Sequence, residues 1–229
     1  MRTICFRIAV VSVLTLLGLV APTGAQEKTS ALLNALEVRQ LVARAEPADH
    51  VRLTAHFKAV ADEYRAEATR HTAMAHSFVG NSNRSLGTGM SAHCTQLASL
   101  NTQSANTAGE LADYHDKLAS GAKATRPAGT TRFHAGAGAS EPNDKDLSAL
   151  SERASTPAEH HALEEYFLTL AKRYTTTAGE HVSLAQAYRG TRLAAAAVYQ
   201  DRLAALARDE AKEAKEAAAM HKALATIAR

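Results

Sequence analysis

Two stretches decide the fold: Pro47–Phe78, PADHVRLTAHFKAVADEYRAEATRHTAMAHSF, and Pro157–Tyr188, PAEHHALEEYFLTLAKRYTTTAGEHVSLAQAY. Laid on one another at an offset of 110 they share ten identities, Pro47/Pro157, Ala48/Ala158, His50/His160, Leu53/Leu163, Phe57/Phe167, Ala61/Ala171, Tyr64/Tyr174, Ala68/Ala178, His71/His181 and Ala75/Ala185. The match resumes at an offset of 106, with Leu97/Leu203, His115/His221 and Leu118/Leu224, so the sequence reads as an internal duplication. Within the first copy His50, Phe57, Tyr64, His71 and Phe78 recur every seven residues, with Leu53, Val60, Glu67 and Met74 three places later. That is the spacing of a helical seam. The second copy repeats it as His160, Phe167, Tyr174, His181 and Tyr188.

Composition agrees with helices. Among 229 residues 50 are alanine, aromatics make up 5%, and there is no Trp, which argues against a β-sandwich or barrel. Each copy reads as two long helices joined by a turn. The turn of the first copy is expected around Gly80-Asn81-Ser82-Asn83 and Gly87-Thr88-Gly89, and that of the second tightly around Gly190. Pro47 and Pro157 mark the first turns, with Thr156 as a cap and Glu159 three residues beyond it. Shorter helices are expected at about Ser30–Ala45 and Lys145–Ala154. The expected fold is all-α, an antiparallel four-helix bundle of two duplicated hairpins with a short extra N-terminal helix. A dimer that swaps hairpins, or an open elongated molecule, are the alternatives.

The expected organisation is a signal peptide at 1–25, a first hairpin repeat at 26–120, a flexible linker at 121–143 and a second hairpin repeat at 144–229. Arg2 and Arg7 precede an apolar run from Ile8 to Ala21, and Thr23-Gly24-Ala25 supplies small residues before a cut at Gln26. The product is thus expected to be exported, periplasmic or secreted, and off the membrane after cleavage, because no second apolar run approaches the length of a span. Removing residues 1–25 lowers the formal net charge from +3 to +1. No charge bias favours nucleic acid, and the Lys/Glu alternation near the C-terminus reads as a solvated helix face. Only Cys94 remains of the two cysteines, so no intrachain disulfide can form.

Facing positions of an antiparallel hairpin have a constant index sum. If His50 faces His115, then His71 faces Cys94, and Met74 lies level with Met90. His71, Met74, Met90 and Cys94, with His93 on the rim as an exchange ligand, form a thiol, thioether and imidazole set that favours copper(I) first and zinc second. The second copy has His181, Leu184, Ala196, Tyr199 and Gln200 in the matching places. In an up-down-up-down bundle, His50, His115, His160 and His221 would share one end, a second candidate layer for zinc, nickel, copper(II) or a haem. The competing expectation is that the histidines fix register in the core and that the protein is a structural or interaction bundle without metal, forming a homodimer or pairing with a helical partner. Glu67 and His71, four apart, sit near Cys94, yet no oxyanion or phosphate loop, no Glu-x-x-His pair and no His-Glu-x-x-His accompanies them. No enzyme activity is therefore expected.

The pattern His50-x-x-Leu53, Phe57, Tyr64, His71-x-x-Met74, Phe78, followed by Met90-x-x-His93-Cys94-x-x-Leu97 and His115, resembles a helical domain that recurs in exported proteins of proteobacteria and related bacteria. The resemblance covers the first copy well and the second weakly, since the later Met, His and Cys are missing there. It implies an exported helical protein and no particular activity.

Overall fold

The computed structural model describes residues 32–81, 84–121 and 144–227. The expected signal peptide and nearly all of the expected linker lie outside them. The described residues are all-helical, without strands: α1 (Ala35–Arg44), α2 (Pro47–Gly80), α3 (Arg84–Ala119), α4 (Asp144–Arg153), α5 (Pro157–Arg189) and α6 (Ala197–Ile227), with one 3-10 turn at Ala194–Ala196. None of these helices is long and apolar enough to cross a membrane.

Local chemistry sets the helix starts. Asn34 and Glu37 exchange side-chain to backbone bonds before α1, Glu46 and Asp49 do so before α2, and Thr156 and Glu159 before α5, so each start closes a capping box. Pro47 and Pro157 occupy first-turn positions where their missing N–H costs nothing. The expected loop around Gly87-Thr88-Gly89 is corrected: α3 begins at Arg84 and includes all three. Close packing of α3 on α6 gives one reason for a glycine there. A Cβ at Gly89 would lie 2.9 Å from Cε of Met220.

The four long helices run antiparallel to their immediate neighbours. His50 Nδ1 lies 3.1 Å from His115 Nδ1 across α2 and α3, and His160 Nδ1 lies 3.2 Å from His221 Nδ1 across α5 and α6. Between the hairpins, Ser104 faces Glu210 and His93 faces Glu213 across α3 and α6, while Tyr64 faces His181 and Glu67 faces Arg173 across α2 and α5. The diagonal pair α3 and α5 runs parallel, with Asn101 on Tyr174 and His115 on Tyr188.

This connectivity differs from the expected up-down-up-down order. The start of α5 lies at the C-terminal end of α2, because Asn81 donates from Nδ2 to the carbonyls of Ser151 and Ala154 at 3.3 and 3.2 Å, holding the end of α4 there. The end of α3, at His115, lies beside the start of α2. The end of α3 and the start of α5 therefore lie at opposite ends of the long helices. The short helices take equivalent places: α1 packs on α2 and α5 at one end, and α4 packs on α2 and α5 at the other.

Burial divides the interior into two apolar lobes and a polar middle. One lobe holds Met74, Phe78, Met90, Cys94, Leu97, Leu163 and Phe167, and the other holds Val38, Leu41, Leu53, Phe57, Leu111 and Tyr188. Between them lie Tyr64, Asn101, Ser104, Tyr174, His181, Gln200 and Glu210, all buried. Glu67, with a side chain only 16% exposed, joins them.

Candidate functional site

Heptad spacing puts His71 on the inner face of α2, and the structure leaves it no exposed surface. Neither Nδ1 nor Nε2 has a hydrogen-bond partner among the described residues. Its nearest acid is Glu67, one turn earlier, with Oε2 3.9 Å from Nε2. The other oxygen of Glu67 accepts from Arg70 at 2.9 Å and Arg173 at 2.7 Å, leaving Oε2 without a partner too. Burial, aided by the charges of Arg70 and Arg173, pushes the His71 imidazole down to about 3, so it is neutral at physiological pH.

His181, its counterpart at an offset of 110, is fully engaged. Its Nδ1 lies 2.7 Å from Gln200 Oε1 and its Nε2 lies 3.2 Å from Tyr64 Oη. The second pair of the pattern differs between the copies at the facing position. Twenty-one residues along each helix from His160 and His221 are His181 and Gln200; the same step from His50 and His115 leads to His71 and Cys94. Cysteine thus stands where the other half has the amide that holds the imidazole. Tyr174, which by position could serve His71 as Tyr64 serves His181, instead accepts from Asn101 Nδ2 at 2.9 Å.

Cys94 is a free thiol with no exposed surface, and Met74 and Met90 belong to the same apolar cluster. Burial, with Glu213 adding to it, pushes the thiol up to about 12. Burial thus leaves a neutral imidazole at His71 and a protonated thiol at Cys94, the latter in one apolar cluster with the two thioethers, Phe78, Leu97 and Phe167. These donors are soft and uncharged. They can ligate a soft monovalent ion at the expense of one proton from Cys94.

His93 does not turn toward this cluster. Its Nδ1 lies 2.5 Å from Glu213 Oε1 on α6, on the flank of the α3 and α6 contact. Nor do His50, His115, His160 and His221 share a layer, which corrects the expectation of a four-histidine site. His115 Nε2 lies 2.7 Å from Tyr188 Oη, whereas His221 packs on Phe78, ring centroids 5.7 Å apart, and Phe78 is 28 residues beyond His50 on α2. At 1.5 Å per residue the two histidine pairs are about 42 Å apart. The reason is the antiparallel placement of α5 on α2, which sends equivalent ends of the two hairpins to opposite ends of the molecule.

Several polar residues escaped the reading of the sequence. Glu210 is fully buried, accepts from Ser104 Oγ at 2.9 Å and is pushed up to about 8 by burial. His56 accepts from the Leu33 backbone N–H at Nδ1, 3.1 Å away, and burial lowers it to about 4. Glu213 and Glu216 belong to the Lys/Glu run that reads as solvated, and only their three-residue spacing, which places both on one face, could have signalled otherwise. No family model, curated protein or solved structure matches the chain.

Proposed function

We propose that the protein binds a soft transition-metal ion, copper(I) in preference to zinc, through His71 and Cys94 with Met74 and Met90 as thioether supplements. It would serve as a carrier, buffer or sensor outside the cytoplasm. We further propose that the four long helices are an antiparallel bundle derived from two duplicated hairpins. One observation carries the metal reading: His71 is fully buried with both ring nitrogens unpartnered among the described residues, while its counterpart His181 has both satisfied. An unpartnered buried polar group costs about 1–3 kcal/mol. The neighbours that differ between the halves, Cys94 for Gln200, Met74 for Leu184 and Met90 for Ala196, replace an amide and two hydrocarbon side chains by three sulfur donors.

A second reading, a structural or interaction bundle without metal, is favoured by the other paired histidines. His50, His115, His160, His181 and His221 each have at least one ring nitrogen engaged by another side chain, as register-fixing core residues do. Anaerobic copper(I) titration of the chain beginning at Gln26, against a competing chelator, separates the two. One tightly held ion per chain, lost in Cys94→Ala and in His71→Ala with helicity retained by circular dichroism, supports the metal reading. No stoichiometric binding, or binding unchanged in both variants, refutes it.

A further inference from the structure

We propose a second, chemically distinct cation site on the flank of the α3 and α6 contact, formed by His93, Glu213 and Glu216 and selective for a borderline divalent ion of the zinc class. One imidazole nitrogen and two carboxylate oxygens from these residues all lie within 4.8 Å of one another. A zinc ion bonded to each at about 2.0–2.2 Å needs its ligand atoms roughly 3–3.5 Å apart, so small side-chain adjustments close the set. The 2.5 Å contact between His93 Nδ1 and Glu213 Oε1 holds the first two donors face to face across the helices. The third comes from Glu216, one turn further along α6.

Contacts between α3 and α6 flank these donors. Gly89 meets Met220 on one side of them, and Ser104 Oγ donates to Glu210 on the other. His93 and Glu213 are partly buried, with side-chain exposures of 19% and 18%. Glu216, more exposed, reaches Lys212 only at 3.8 Å. Three protein ligands with one exposed edge leave a coordination position for water. The corresponding positions in the other half are Tyr199, Thr107 and Glu110, which offer no imidazole and a single carboxylate. This site does not depend on the copper reading: its donors are nitrogen and oxygen from the α3 and α6 flank, not sulfur from the core.

Calorimetric titration of the full chain with zinc chloride tests it, with cobalt(II) as a spectroscopic substitute. The expected result is one zinc per chain, weakened roughly tenfold or more by His93→Ala and by Glu213→Gln with Glu216→Gln, while anaerobic copper(I) capacity is unchanged. Cobalt(II) should show ligand-field bands without thiolate charge transfer. Zinc affinity unchanged by those substitutions, absence of zinc binding, or a thiolate charge-transfer band abolished by Cys94→Ala would overturn the proposal. Loss of copper binding in Cys94→Ala with zinc binding intact would leave both sites standing.

Discussion

Glu210→Gln should uncouple the stability of the protein from pH on the alkaline side. Glu210 has no exposed surface, its Oε1 accepts from Ser104 at 2.9 Å, and its Oε2 has no hydrogen-bond partner among the described residues. Burial raises the carboxyl from 4.5 to about 8. A carboxyl whose folded value exceeds its unfolded one contributes stability in full below pH 4.5, and that contribution is lost as pH rises through 8. A gap of about 3.5 pK units at 1.36 kcal/mol each corresponds to about 5 kcal/mol between pH 4 and pH 9. Glutamine keeps the shape and the bond from Ser104 and cannot ionise, so its stability relative to the parent should rise by that order over the interval. The histidines act with the opposite sign. His56, His71, His115 and His221 are depressed to about 4, 3, 3 and 3, so their contribution is present above pH 6.5 and lost as pH falls below it. The parent should therefore be most stable near neutrality, and the histidine contribution cancels in the difference between the two proteins. Urea unfolding followed by far-UV circular dichroism at several pH values measures that difference directly. A difference constant within about 1 kcal/mol from pH 5 to pH 9 would refute the assignment of Glu210 as a neutral buried acid.

The ends of the helices permit a reciprocal exchange. Tyr188→Phe removes the 2.7 Å partner of His115 Nε2 and should cost about 1–3 kcal/mol, whereas Phe78→Tyr brings a hydroxyl toward the unpartnered His221 Nε2 and should gain about 1 kcal/mol; a urea midpoint raised by the first or lowered by the second would contradict the corresponding expectation. The double variant Cys94→Gln with Met90→Ala copies the second half into the first, giving His71 the amide partner that His181 has. It should retain the thermal stability of the metal-free parent and lose copper(I) binding; an unchanged copper stoichiometry would rule out the core thiol as a ligand.

Much of the helix pattern was legible because it rests on local signals. Pro47, Pro157, Thr156 and Glu159 act within one turn of themselves, and the seven-residue recurrence of Phe57, Tyr64, His71 and Phe78 needs only the helical period to face inward. The pairing of His50 with His115 follows from hairpin geometry in the same way. What the sequence hides is long-range. The order of the helices depends on where α5 docks, and Asn81 binding the carbonyls of Ser151 and Ala154 carries no sequence period. That one placement separates the histidine pairs that a different order would have gathered. Glu210 escaped because its neighbours Asp209, Lys212 and Glu213 give the run the look of a solvated face, although the side chain points to Ser104 in the middle of the molecule.

The two halves act as a control on each other. At the ends, where both keep histidine facing histidine, the Nδ1 separations are 3.1 and 3.2 Å, so both hairpins hold the same pairing there. At the level of His71 and His181 one imidazole is engaged at both nitrogens and the other at neither among the described residues. Replacing His71 by leucine would remove a polar cost of about 1–3 kcal/mol, a substantial part of the 5–15 kcal/mol that separates folded from unfolded domains. A buried imidazole with nothing to bond is the least economical way to fill that space. Under the proposed function that cost would be offset by an ion: the imidazole, the thiol and the two thioethers belong to facing seams, and a soft cation would satisfy a nitrogen that no described side chain does.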